Sequence, residues 1–353
     1  MRALLLALLS LPACVREACA ADFDFDQIRL SGVCPDYTKY ATHSHKPFSE
    51  GPLKLSSQRP HPACRKFKSE GVEKVLEDLL PHFKDPDLAK LFENAYPNTL
   101  DTTVRWHDPK PPKSLLLRDS ERWRGPQSFI VTGDIDAMWL RDSTNQLSQY
   151  QRVADLKPLL LGAINTQVEY ILQSPYCNAF QPPSPSRLEP VANGQDDTVH
   201  PVYEPSVVFE CKYELDSLAN FLSLSNQFAT HHDNSHLTPR WFKALETVLA
   251  VLDEQAAPTF TTDGYRPNQY RFDRWTNAGT ETLNLGGVGN PLAAGTNLIR
   301  SAFRPSDDAT IFGYLIPANA MMSVELNRTA AVLTKADASR HAARAANLID
   351  APP

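Results

Sequence analysis

The sequence predicts an all-α fold, built as a toroid of helix pairs. Three observations carry that expectation. Apolar residues recur at 3.6-residue spacing through most of the chain after residue 70. Proline is frequent, at 29 of 353 residues, and glycine scarce, at 14, which suits ordered, Pro-punctuated loops between helices. Convincing strand patterns are few. Many amphipathic helices without a sheet to cover must bury their apolar stripes against one another.

The elements follow in order. The first 20 residues have the pattern of a secretory signal peptide: Arg2, an apolar stretch from Ala3 to Ala13, and the small-x-small site Ala18-Cys19-Ala20. Residues 21–70 form an N-terminal extension that holds Cys34 and Cys64. Val72–Leu80 is the first helix, ended near Pro81. Asp85-Pro86 opens a second, running to about Ala95, because Asp caps and Pro suits the first helical position. Arg141–Val153 is a further helix. Leu156, Leu159, Leu160, Ile164, Val168, Ile171 and Leu172 mark one face of the next. Leu215, Leu218, Leu222, Leu224 and Phe228 mark another, and the adjacent pair His231-His232 ends it in solvent. Thr238-Pro239 caps a helix whose buried face is Trp241, Phe242, Leu245, Val248, Leu249 and Leu252. Pro317–Leu333 is the last clear helix, and Thr334–Asn347 is either an exposed final helix or the mark of a truncated end. Ser128–Val131 and Val207–Phe209 are short strand candidates, and Gln181–Pro205 is a polar, Pro-rich loop. No internal repeat and no composition break divides the region 71–353.

Composition is that of an ordinary globular protein, with 42% hydrophobic and 22% charged residues. The net charge of −6 and the lack of any Lys/Arg-rich block argue against nucleic acid or an anionic membrane as a partner. No segment after the N-terminus is long and apolar enough for a membrane helix. A secreted or secretory-pathway monomer is expected. Four cysteines, Cys34, Cys64, Cys177 and Cys211, remain after cleavage at Ala20 and allow three pairings. Proximity favours Cys34–Cys64 and Cys177–Cys211; a zinc site is the rival, without a Cys-x-x-Cys to support it. Asn327-Arg328-Thr329 is the single N-glycosylation sequon.

Chemistry concentrates in the run Thr132 to Ser143. Asp134, Asp136 and Asp142 stand with Arg141 and Trp139 within nine residues. Carboxylates and Arg hold sugar hydroxyls through charge-assisted hydrogen bonds, and an indole face packs on a pyranose ring. Tyr213-Glu214-Leu215-Asp216-Ser217 opens an amphipathic helix, where a first-turn acid such as Glu214 either stabilises the helix or serves catalysis. Phe303-Arg304-Pro305-Ser306-Asp307-Asp308-Ala309 and Asn98-Thr99-Leu100-Asp101-Thr102-Thr103 are two more polar constellations, with capping or loop bracing as the plain alternatives. No phosphate loop, nucleophile elbow, His-Glu-x-x-His or dinucleotide fingerprint is present. His61, His200, His231 and His232 make no metal-ligand set, so neither metal nor cofactor is expected. Acids, Arg and aromatics without metal ligands point to glycoside chemistry.

Thr132–Thr144, Lys212–Leu218, Asn98–Val104 and Phe303–Ala309 resemble, in order, the signature segments of glycoside hydrolase family 125, exo-acting α-1,6-mannosidases. The resemblance covers residues 70 to 330. It implies an (α/α)6 barrel and metal-independent, inverting hydrolysis of terminal α-1,6-linked mannose. By its Tyr-Glu-x-Asp-Ser-Leu segment it places the general acid on Glu214. It implies that Asp134, Asp136, Trp139, Arg141, Asp142, Arg304, Asp307 and Asp308 line the mannose subsite. An inverting reaction also needs a base, roughly 6.5–9.5 Å from the acid. The family's His-Glu-Ser-Phe-like segment, which carries that base, has no counterpart here. The expectation is therefore a barrel incomplete at its C-terminal end, with poor turnover, and a base-less mannose-binding fragment is the alternative. Another (α/α)6 activity, such as on α-glucosides, fits the Asp-Ile-Asp-Ala-Met-Trp motif less well.

Overall fold

A computed structural model describes residues 33–110 and 125–336. The signal-peptide reading of residues 1–20 and most of the tail helix lie outside the described residues. Seven helices of eight residues or more are found among them: α1 (Glu70–Leu79), α2 (Pro86–Ala95), α3 (Leu140–Ser148), α4 (Lys157–Gln173), α5 (Leu215–His231), α6 (Pro239–Gln255) and α7 (Ile316–Lys335). The caps are the expected ones. Asp85 accepts the Asp87 and Leu88 amides at the start of α2, and Thr238 accepts the Trp241 amide at the start of α6.

The all-α expectation needs correction to an α-rich fold. Four small antiparallel sheets accompany the helices among the described residues. Strands β1 (Val104–Asp108) and β2 (Gln127–Ile130) pair with each other. Strand β3 (Met138–Trp139) pairs with β4 (Ala179–Phe180), and β4 with β6 (Val208–Glu210). Strand β5 (Asp197–His200) lies inside the segment read as a polar loop. It pairs with β9 (Arg271–Arg274), residues Val199 and Phe272 facing the core from opposite strands. Strands β7 (Phe260–Thr261) and β8 (Gly264–Tyr265) form an exposed hairpin. Strands β2 and β6 fall on the two expected strand segments, while the others are too short, at two to five residues, for a periodicity reading.

Two further expectations change. Helix α3 stops at Ser148 and not at Val153. The chain there turns through Tyr150 N to Leu147 O and Val153 N to Tyr150 O, and the buried Tyr150 hydroxyl donates to Tyr96 O. A tertiary anchor thus overrides local helix propensity. The Pro305-Ser306-Asp307-Asp308 string starts no helix; it is a turn closed by the Phe303–Ala309 bridge.

Packing of the helices positions the site. Helix α5 lies between α3 and α7, while α4 packs on β2 and α6. The α5 interior is buried through Leu218, Phe221, Leu222, Leu224 and Phe228. Gln167 of α4, fully buried, donates to Leu140 O, Ser143 Oγ and Thr144 Oγ1, pinning the first turn of α3. Thr144 Oγ1 then donates to Asn220 O, tying α3 to α5. Cys177–Cys211 joins the segment before β4 to the end of β6, and Cys34–Cys64 closes the N-terminal segment, both as proximity favours. That segment docks through Arg59, which binds Glu73 and the buried Asp101. The Asn98–Thr103 constellation is therefore a brace at this point. Among the described residues no helix is long and apolar enough to cross a membrane.

Candidate active site

The site is built where the first turns of α3 and α5 meet the loop 301–309. Tyr213 is the hinge of this arrangement. Its carbonyl accepts the amides of Ala302 and Phe303, and its own amide donates to Tyr270 Oη. The Leu215 amide donates to Ser301 Oγ. These bonds lock the start of α5 against the loop, so that Arg141 of α3 is surrounded by carboxylates from both.

Arg141 is the centre. Its Nη1 donates to Glu214 Oε2 at 2.7 Å and lies 3.5 Å from Asp216 Oδ2. Its Nη2 lies 3.3 Å from Asp142 Oδ2 and 4.0 Å from Asp307 Oδ1. One guanidinium faces four carboxylates, an excess of negative charge that favours the protonated form of the most deeply buried ones. Burial opposes the charge of Arg141, yet Glu214, Asp142 and Asp216 together hold its pKa above the ordinary value.

The two deepest acids show this effect. The Glu214 side chain is completely buried, and its pKa is pushed up to about 8. Burial is the main cause; Arg141 opposes it, and Asp216 and Asp307 add to it. Glu214 sits at the N-cap of α5, where the helix dipole favours the carboxylate. Desolvation outweighs that dipole. Ser217 Oγ donates to Glu214 Oε2 at 2.9 Å, while Oε1 has no partner. Asp216 is buried as well, and its pKa is raised, again chiefly by burial.

Stability should follow this titration. The folded chain keeps a proton on Glu214 up to about pH 8, whereas an ordinary Glu loses it near 4.5. Between these values the folded state binds more protons than the unfolded one, so its stability falls as pH rises. Urea midpoints at pH 5 and pH 8 should differ in that direction, and Glu214→Gln should flatten the slope. An unchanged slope in the variant would show that Glu214 is ionised throughout.

Asp216 is the residue that sequence reasoning missed. Its oxygens are both buried, and the cation that faces them is Arg141, with Nη1 3.5 Å from Oδ2. It lines an open cavity of about 500 Å³ with Arg141, Asn145, Asn220, Arg304 and Met321. Asn220 Oδ1 is a buried acceptor without a partner on this wall. Glu214 is not part of the lining. The signal was present, since Asp216 stands two residues after Glu214, one turn-entry position away.

The other expected residues separate into groups. Arg141, Asp142, Asp307 and Glu214 are brought together, and Arg304 reaches the cavity rim. Asp307 has a left-handed backbone, φ 64°, a strained conformation for a residue with a side chain. Asp308 turns back on its own loop, paired with Arg304 at 2.9 Å and bonded by Ser306 Oγ at 2.7 Å. The Ser306 hydroxyl, foremost, holds the Asp308 pKa below its ordinary value. Asp136 is paired with Arg105 at 2.6 Å, and Asp134 lines a different cavity. Trp139 is no open platform: only 7% exposed, it packs on Phe209 with ring centroids 5.4 Å apart. As the residue before α3 it serves the core. Among the described residues no group of three or more His, Cys, Asp or Glu is placed to hold a metal ion.

A buried acid pair with raised pKa values beside an open polar cavity, on an α-rich scaffold, is the kind of site a glycoside hydrolase uses. The chain is a member of the metal-independent α-mannosidase family GH125, which its residues 85–351 match. It is 50% identical over 317 residues to the meiotically up-regulated gene 157 protein of Schizosaccharomyces pombe, covering 88% of this chain and 59% of that protein. Among solved structures it resembles a metal-independent α-mannosidase from Streptococcus pneumoniae, in a non-productive complex with α-1,6-mannobiose. That likeness has a TM-score of 0.65 at 30% identity and covers 81% of this chain and 62% of the other. The chain thus spans less than two thirds of the length of either relative.

Proposed function

We propose that this protein removes terminal α-1,6-linked mannose from glycans, in the (α/α)6 architecture and with the inverting course that the family resemblance implies. The observation that carries the reading is the Glu214–Asp216 pair held by Arg141, with Arg141 and Asp216 in the wall of the 500 Å³ cavity. An acid that must protonate a leaving oxygen near neutral pH has to keep its proton there, and burial supplies that condition. Of the two acids, we take Asp216 as the proton donor in place of Glu214, to which the family resemblance pointed, because Asp216 lines the cavity and Glu214 does not. Glu214 holds Arg141 in place beside Asp216. Arg141, Asp142, Arg304 and Asp307 bind the terminal sugar. The proposal covers the acid half of the reaction. Two disulfides support folding in an oxidising compartment, in keeping with secretion after loss of residues 1–20, and residues 21–70 serve as an extension of the hydrolase domain.

Titration calorimetry with α-1,6-mannobiose, alongside an assay of released mannose, tests the reading. Binding of mannobiose, but not of an α-linked glucose disaccharide, is expected. Absence of mannobiose binding overturns the assignment. Binding without any turnover identifies a mannose-binding chain that lacks its base. The family is described as metal-independent, so exhaustive treatment with a chelator should leave hydrolysis unchanged. Loss of activity restored by calcium or zinc would contradict this.

A further inference from the structure

A second cavity, of about 560 Å³, opens between the N-terminal segment and the loop Thr132–Asp134. One wall comes from Tyr37 and His61, which precede the family match at residues 85–351. The facing wall comes from Thr102, Thr103, Arg105 and Asp134. The Tyr37 ring is set before any ligand arrives. Asn98 Nδ2 donates to its hydroxyl at 3.0 Å, and that hydroxyl donates to Gln58 O at 3.3 Å. Behind it, Tyr40 stacks at 6.1 Å between ring centroids and rests in turn on His45 at 3.8 Å. A half-buried aromatic ring held rigid opposite hydroxyl, guanidinium and carboxylate groups is what an uncharged, hydroxyl-rich ring needs. Arg105 is also paired with Asp136, so this wall continues into the run that ends on Arg141. Asp134 and Arg141 are seven residues apart. Their backbones are therefore separated by about 25 Å at most, within reach of a short oligosaccharide.

We propose that this cavity is an oligomannoside subsite, built by the N-terminal extension, that holds the sugars on the leaving-group side of the cleaved bond. The proposal rests on the mannosidase reading above and adds to it a preference for longer glycans. It makes Tyr37 a specificity-determining residue that lies away from the reacting atoms.

Calorimetry on the 353-residue chain should give a linear α-1,6-mannotetraose at least about tenfold tighter binding than α-1,6-mannobiose, a difference within reach of one or two sugar–aromatic contacts. Tyr37→Ala should remove that gain and leave mannobiose affinity within about twofold, while Tyr37→Phe, which keeps the ring, should retain most of it. Hydroxyl-radical footprinting of the unsubstituted chain should show Tyr37 protected by mannotetraose and not by mannobiose, which decides the matter even if Tyr37→Ala fails to fold. Mannobiose binding with no gain for mannotetraose, or mannotetraose bound with Tyr37 unprotected, overturns the subsite alone. Failure of both sugars to bind overturns the mannosidase reading and the subsite with it.

Discussion

Asp216→Asn should lower hydrolysis of an α-1,6-mannoside by about 10²–10⁴-fold, the range that positioned proton transfer contributes. Asn matches Asp in shape and its carbonyl can still face Arg141, so the fold should tolerate the change. What disappears is the proton that the cavity wall offers to the leaving oxygen. Mannobiose affinity should change far less than turnover. Glu214→Gln makes the informative companion. The Gln carbonyl still accepts from Arg141 and Ser217, the two donors that Glu214 Oε2 serves. Gln also keeps the uncharged state that burial favours at Glu214, so turnover should persist and the pH–rate profile should move little below about pH 8. The measurement is kcat against pH for both variants. If Glu214→Gln abolishes turnover at every pH and Asp216→Asn retains it, the roles of the two acids are reversed.

The second large effect is expected at Arg141. Arg141→Ala leaves Glu214 and Asp216 buried without their cation, and breaking a buried pair by removing one partner costs about 3–5 kcal/mol. The loss should be greater at pH 8 than at pH 5, because at low pH Glu214 stays neutral and needs no counter-charge. Arg141→Lys should recover only part of it. A compact ammonium cannot reach Glu214 and Asp216 through Nη1 while Nη2 faces Asp142 and Asp307, as the planar guanidinium does. Urea unfolding at the two pH values measures both claims. A loss below about 1 kcal/mol at pH 8, the worth of an exposed pair, would show that water already screens the cluster.

Much of the site was legible in the chain before folding, but not its division of labour. The Gly133–Ser143 run concentrates the right residue types, yet its members part company in space. Arg141 and Asp142 belong to the first turn of α3 and point at the centre, whereas Asp136 meets Arg105 and Trp139 is packed on Phe209. Spacing along a chain says which residues are near one another; it does not say which face inward. Asp308 looked equivalent to Asp307, its neighbour. The left-handed backbone at Asp307 sends the two side chains to different partners, one to Arg141 and one to the loop's own Arg304.

Helices are what the sequence determined by itself. Their signals are local: the 3.6-residue spacing of apolar side chains, Asp85 and Thr238 as caps, and Pro at the first helical position. The disulfide partners were also near enough along the chain for proximity to favour them. Only the tertiary structure decided the pairing of β5 with β9, more than seventy residues apart, and the early end of α3 at the buried Tyr150. It alone decided the chemistry as well. Glu214 at the start of a helix is an ordinary ionised carboxylate as far as local sequence can tell, because the dipole there favours the charge. Its protonation comes from desolvation by segments remote in the chain, and the cost of burying charge depends on everything that surrounds it rather than on what precedes and follows it.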